Sequence, residues 1–158
     1  MLPIEEYIPE IITALTKDNN LVLQAEPGAG KSTLVPLSLL KADFLSGKKI
    51  IMLEPRRIAV KTLAFYLAKQ LGEKVGQRIG YQIRNERKTS KDTVLEIVTE
   101  GVLTRRLQND PELSNVGLII FDEFHERSIH ADLALMLALE VQEAYRDDLK
   151  LLVMSATI

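Results

Sequence analysis

The residues best suited to chemistry are Asp122-Glu123-Phe124-His125, which follow directly on the apolar run Val116-Gly117-Leu118-Ile119-Ile120-Phe121. Two adjacent carboxylates at the mouth of a buried strand suit a site in which one holds a metal ion and the other handles a proton or a water. That division of roles belongs to nucleoside triphosphate hydrolysis. A histidine two residues after the second acid narrows the reading, because hydrolysis alone needs no imidazole there. The same acids also fit a plainer role, as residues favouring the start of a helix near Glu126.

A second cluster supplies what hydrolysis requires. Ala25-Glu26-Pro27-Gly28-Ala29-Gly30-Lys31-Ser32 follows an apolar run at 21–25 and precedes a helical stretch at 34–40, and it matches G-x-x-x-x-G-K-[ST] with Ala25 in the first glycine's place. Small residues at Gly28, Ala29 and Gly30 let the backbone wrap phosphate oxygens with its amides, and the following helix adds the positive end of its dipole. Lys31 would neutralise the β- and γ-phosphates and Ser32 would coordinate Mg²⁺, with Thr33 completing the motif. Asp122 can reach the same Mg²⁺, through a water, if it ends a neighbouring strand. Glu123 would then orient or deprotonate the attacking water.

The elements that must hold these residues are legible as alternating patterns. Strand-like runs at 21–25, 49–53, 80–83, 94–98, 116–121 and 150–154 are separated by helical stretches, which predicts a mainly parallel α/β sheet with helices on both faces. Val60, Leu63, Ala64, Leu67, Ala68 and Leu71 form one buried helical stripe, and Ala134, Leu137, Ala138, Val141 and Ala144 form another. Pro9 suits the first turn of a helix through Ile11, Ile12 and Leu15. The charged stretch 84–92 reads as a loop. Further polar clusters follow strand-like runs: Glu54-Pro55-Arg56-Arg57, Thr99-Glu100-Gly101 and Ser155-Ala156-Thr157. In an open parallel sheet all of them would share the rim beyond the carboxyl ends of the strands.

With 158 residues the chain fits one domain, 1–158. A net charge of -2 gives no overall basic footprint, so any nucleic-acid partner must be held by a few placed cations. The absence of cysteine excludes disulfides and thiolate metal sites. No apolar stretch approaches the ~20 residues that cross a bilayer, and no basic-then-apolar leader opens the chain. A cytoplasmic protein without a membrane partner is the expectation.

The ordered motifs resemble those of one family. Gly28-Ala29-Gly30-Lys31-Ser32-Thr33, Glu54-Pro55-Arg56-Arg57-Ile58-Ala59, Thr99-Glu100-Gly101-Val102-Leu103, Asp122-Glu123-Phe124-His125-Glu126-Arg127-Ser128 and Ser155-Ala156-Thr157 are similar, in order and spacing, to motifs I, Ia, Ib, II and III of superfamily 2 DEAH/DExH-box helicases. The likeness extends over almost the whole chain and is greatest to the bacterial HrpB-type group. It implies the first RecA-like domain of an ATP-dependent RNA helicase, a P-loop NTPase fold using ATP and Mg²⁺. It also implies that Arg56, Arg57 and Thr99 touch the backbone of single-stranded RNA, or DNA, and that His125, Ser155 and Thr157 couple phosphate state to an opposing lobe. That lobe, a second RecA-like domain, is expected to follow the last motif and is absent from this chain. Low hydrolytic activity of the isolated domain follows. A nucleotide-dependent interaction or remodelling module that never unwinds nucleic acid is the alternative.

Two positions depart from the family's pattern. Phe124 stands where the DEAH spelling has alanine, which leaves the metal and water chemistry intact. Tyr66 stands on a helix where relatives often carry an arginine that stacks on the base; a tyrosine ring can stack on any base, so weak base preference is expected. His130 lies outside the motifs and reads as an ordinary surface histidine.

Overall fold

The computed structural model describes residues 3–26, 29–126 and 128–156. Seven strands, β1 (Asn20–Gln24), β2 (Lys49–Leu53), β3 (Ile79–Ile83), β4 (Glu86–Lys88), β5 (Leu95–Val98), β6 (Val116–Phe121) and β7 (Lys150–Ser155), form one sheet in the order β1-β7-β6-β2-β5-β3-β4. Every pairing is parallel except β3 with β4. Helices α1 (Ile8–Lys17), α2 (Lys31–Leu39), α3 (Arg57–Gln70), α4 (Glu100–Asn109) and α5 (Ile129–Ala144) cover the two faces.

Successive strand residues point to opposite faces, so a near-continuous apolar run can feed two cores at once. Ile50, Met52, Leu118 and Ile120 pack with Leu15 of α1, Leu39 of α2 and Val60 and Leu67 of α3. Ile51, Leu53, Ile119 and Phe121, one residue out of phase, pack with Leu103 of α4 and Ala134 and Ala138 of α5. This is why β2 and β6 read as unbroken hydrophobic stretches. They are the central strands, and both stand directly beneath the candidate site.

The predicted stripe on α3 is met, with Val60, Ala64, Leu67 and Ala68 buried and Leu63 and Leu71 packed at its margin. On α5 the stripe ends one turn early: Val141 is buried and Ala144 is exposed. Pro9 occupies the first turn of α1, as its missing N–H allows.

The stretch 84–92 is not all loop. Arg84-Asn85 forms a two-residue turn, and β4 returns antiparallel to β3 as the edge of the sheet. Its three residues are all exposed, so no alternation marked it as a strand. Side chains anchor it instead: the Tyr81 hydroxyl donates to Glu86, whose carboxylate also meets Lys61 Nζ at 3.1 Å. Burial, and then the Glu86 partner, push the Tyr81 phenol up to about 12. At Gly80 a Cβ would lie 2.6 Å from the Lys88 carbonyl oxygen, so close approach of the turning chain requires glycine. A charged strand also discourages pairing with another chain's edge.

One polar network crosses the sheet. Glu96 on β5 is fully buried; Arg106 of α4 grips both its oxygens, Nη1 reaching Oε1 at 2.9 Å, and Lys49 of β2 approaches Oε1 at 3.2 Å. Arg106 Nη2 also donates to Gln82 of β3 at 2.6 Å. Burial pushes the Glu96 carboxyl up, but the hydrogen bond and charge of Arg106, then those of Lys49, outweigh it and hold it below the ordinary glutamate range. Three strands and α4 are thereby tied together.

Candidate functional site

The sheet order converts chain order into a different spatial order. Motifs I, Ia, Ib, II and III follow β1, β2, β5, β6 and β7, and since these strands lie side by side as β1-β7-β6-β2-β5, the rim reads I, III, II, Ia, Ib. Hence the phosphate loop, the paired acids and the Ser155-Ala156 segment are neighbours. Gly28 and Thr157, and Arg127 of motif II, lie outside the described residues.

Gly30 closes the loop at φ 96° and α2 begins at Lys31, without a side-chain cap. Lys31, only 7% exposed, donates from Nζ to the Ala25 carbonyl at 2.6 Å. Ser32 Oγ donates to Asp122 Oδ2 at 2.6 Å, across 90 positions of sequence. A hydroxyl and a carboxylate oxygen meeting at a helix N-terminus are hard oxygen donors of the kind Mg²⁺ takes. Thr33 lies one residue further into α2, half-buried, and Ala29 is buried with its carbonyl accepting from the Ile4 amide at 3.0 Å.

Asp122 is buried, and its Oδ1 accepts from the Glu123 amide at 2.9 Å. Glu123 has φ 57°, a left-handed conformation that a non-glycine residue holds only when its surroundings enforce it. The helix-start role is not what these acids perform: Phe124–Glu126 is a 3₁₀ turn, and α5 is capped by Ser128, whose Oγ accepts from the Ala131 amide at 2.9 Å. The Phe124 ring meets Phe121 edge-on at 6.4 Å.

His125 joins motif II to motif III. The Ala156 amide donates to its Nδ1 at 2.9 Å, so Nδ1 carries no proton and Nε2 does. Nε2 faces Glu123 Oε2 at 3.5 Å. Ligand atoms of Glu123, His125 and Glu126 lie within 4.8 Å of one another, but an Nε2 already carrying a proton is no metal ligand. Ser155 is buried at the end of β7.

Glu54 carried no role in the sequence reading, yet it stands beside these groups. Leu53 pairs with Phe121, which sets Glu54 next to Asp122 at the ends of adjacent strands. Glu54 is only 4% exposed beside Asp122, and its Oε2 has no hydrogen-bond partner. Burial first, then neighbouring Asp122 and the charge of Glu123, push its carboxyl up to about 11, with Arg56 opposing. The signal was present: Glu54 follows a buried run as Asp122 does. Recognising it needed the adjacency of β2 and β6.

Further along the rim, Arg57, Thr99, Arg84, Arg105 and His130 line a recess of about 380 Å³. Arg57 and Thr99 were expected there; Arg84 arrives through the β3–β4 turn and Arg105 from α4. Arg56 and Thr99 are the cap residues of α3 and α4, and neither helix start is closed by a side-chain hydrogen bond. Arg56 itself lies outside the recess and pairs with Glu126 at 3.6 Å, an exposed contact. The recess's one acid, Glu100, is turned to Ser128 Oγ at 3.1 Å, and burial holds its carboxyl above the ordinary range despite that bond. Tyr66 is apart from this cluster, 46% exposed on α3.

The DEAD/DEAH box helicase family model matches residues 5–158. The chain is 55% identical over 157 residues to the ATP-dependent RNA helicase HrpB of Escherichia coli, covering 99% of this chain and 19% of that protein. It is 41% identical over 157 residues to the ATP-dependent RNA helicase HrpA of Borreliella burgdorferi, with the same coverage of 99% and 19%. A crystal structure of the E. coli DEAH/RHA helicase HrpB superposes with a TM-score of 0.96 at 54% identity, covering 100% of this chain and 20% of that one. The chain spans about a fifth of the length of these relatives. Among the described residues no helix is long and apolar enough to cross a membrane.

Proposed function

Because the chain belongs to the DEAD/DEAH box helicase family, we propose that it is the ATP-binding, first RecA-like domain of an ATP-dependent RNA helicase. The observation that carries this reading is the 2.6 Å contact between Ser32 and Asp122, which joins the phosphate loop to the strand-end acid. Ser32 and Asp122 would hold Mg²⁺, whose chemistry is to neutralise charge on the β- and γ-phosphates. Lys31 would exchange the Ala25 carbonyl for phosphate oxygens, and the amides of Gly28 to Thr33 would complete the cradle. Glu123 would accept a proton from the attacking water or orient it. With the Ala156 amide fixing its tautomer, His125 presents Nε2–H to Glu123. Movement of the Ser155-Ala156-Thr157 segment would therefore be felt at Glu123, which is how phosphate state would reach a second RecA-like domain. Tyr66 would stack on the base without reading it, and the protein would work in the cytoplasm.

The nucleic-acid strand would run along the recess. Arg57, Arg84 and Arg105 can each meet a backbone phosphate, and the open start of α4 beside Thr99 adds amides, so an acidic domain can bind RNA without a basic surface. Arg56 would join them by leaving Glu126. Such contacts ignore sequence but depend on salt. Arg57→Ala is expected to weaken binding of single-stranded RNA equally across sequences, and to flatten the slope of log K against log salt by about 0.7. Fluorescence anisotropy titrations at several salt concentrations measure both. An unchanged slope would place the strand elsewhere and favour a module that binds nucleotide and a protein partner.

A further inference from the structure

Glu54 is a carboxyl that the usual assignment of loop lysine, loop hydroxyl and paired acids does not use. Burying a polar atom without a partner destabilises a fold, so an orphaned oxygen at a functional rim calls for an explanation. Glu54 Oε2 is such an atom, on a residue 4% exposed, and no other described side chain leaves a buried nitrogen or oxygen unpartnered. Its neighbours are specific. Glu54 ends β2 beside Asp122 at the end of β6, and Asp122 in turn receives Ser32 Oγ at 2.6 Å.

A fold that only needed the end of β2 filled would place an apolar side chain there, as it does at Leu53 one residue earlier. A carboxyl held beside a metal-binding carboxylate has a use when a hydrated cation arrives. Mg²⁺ gives up its waters reluctantly and keeps several of them when bound by one or two protein oxygens, so its site needs acceptors for those waters as well as direct ligands. Second-layer partners of this kind also fix the orientation of the ligand they touch. Resting on the nucleotide-site reading above, we propose that Glu54 is a positioning residue of the divalent-cation site: it steadies Asp122 and offers Oε2 as acceptor to a water on the cation.

Glutamine at this position keeps the shape and an acceptor oxygen for the water. Methionine keeps the approximate volume without that oxygen. The test is the Kd for ADP of this chain, by calorimetry, in Mg²⁺ and in EDTA, for the unaltered protein, Glu54→Gln and Glu54→Met, with thermal unfolding of each. The unaltered chain and Glu54→Gln are expected to bind ADP more tightly in Mg²⁺ than in EDTA. In Glu54→Met that Mg²⁺-dependent gain is expected to fall about 10-fold, at the lower end of what losing such a partner costs in metal affinity, with binding in EDTA retained and the unfolding temperature retained or raised. A full Mg²⁺-dependent gain in Glu54→Met overturns the proposal alone. Equal loss in Glu54→Gln and Glu54→Met overturns the hydrogen-bonding role. No gain in the unaltered chain overturns both this proposal and the nucleotide-site reading on which it rests.

Discussion

Glu123→Gln, placed in a full-length helicase that carries this domain, is expected to slow steady-state ATP hydrolysis by roughly 10²–10⁴-fold, the range a positioned general base supplies. Affinity for Mg·ATP should be nearly unchanged, because Ser32, Asp122 and Lys31 are untouched. The substitution is well suited to the question. Glutamine retains the length of the side chain and an oxygen that can accept from His125 Nε2, which lies 3.5 Å from Glu123 Oε2. It changes no backbone demand at the left-handed φ of 57°, so lost turnover would report lost proton acceptance rather than a rearranged turn. Hydrolysis surviving intact would remove Glu123 from the role of base. The left-handed turn would then have to be explained by packing alone.

Arg106→Ala is expected to lower the unfolding free energy by about 3–5 kcal/mol, measured by denaturant titration, toward the smaller figure because Lys49 still approaches Glu96 at 3.2 Å. The loss arises less from the missing attraction than from a fully buried carboxylate left with a single partner. Acid should produce a related effect in the unaltered chain. The folded Glu96 carboxyl is depressed, so its contribution is fully present above the ordinary glutamate value and is lost as pH falls through the depressed folded value. A chain carrying Arg106→Ala should lose much of that particular acid dependence. Unchanged stability would mean that β3, β5 and α4 are held by the apolar packing alone.

The sequence made the chemistry legible where one short segment carries the whole reason. Gly28 to Ser32 read as a phosphate cradle because glycine, lysine and hydroxyl occur at fixed spacing after a strand, and Asp122-Glu123 stand out because six buried residues precede them. Periodicity likewise located α3. What escaped depended on adjacency. Glu54 matters because β2 lies beside β6, and no local pattern states strand order. Arg84 enters the recess only because Glu86–Lys88 folds back as a strand, a segment whose exposed charges give no alternating signal. Glu126, the partner of Arg56, was hidden for the same reason, since surface ion pairs across distant segments leave no spacing to read. Ala144 continues the helical stripe of α5 in sequence but is exposed in the helix's last turn, where periodicity alone does not tell how far the packing reaches.

The central claim is that the phosphate loop and the strand-end acids form one Mg²⁺-dependent nucleotide site. Calorimetry of this chain with Mg·ADP, set against Lys31→Ala, tests it most directly. Lys31 is buried, with its ammonium 2.6 Å from a carbonyl of its own loop, the bond it would exchange for phosphate on the proposed reading. The prediction is saturable one-to-one binding by the unaltered chain and a loss of at least about tenfold in Lys31→Ala, the scale of a single charge-assisted hydrogen bond at roughly 1.5–3 kcal/mol. Equal affinity in the two proteins, or no binding by either, would contradict the claim.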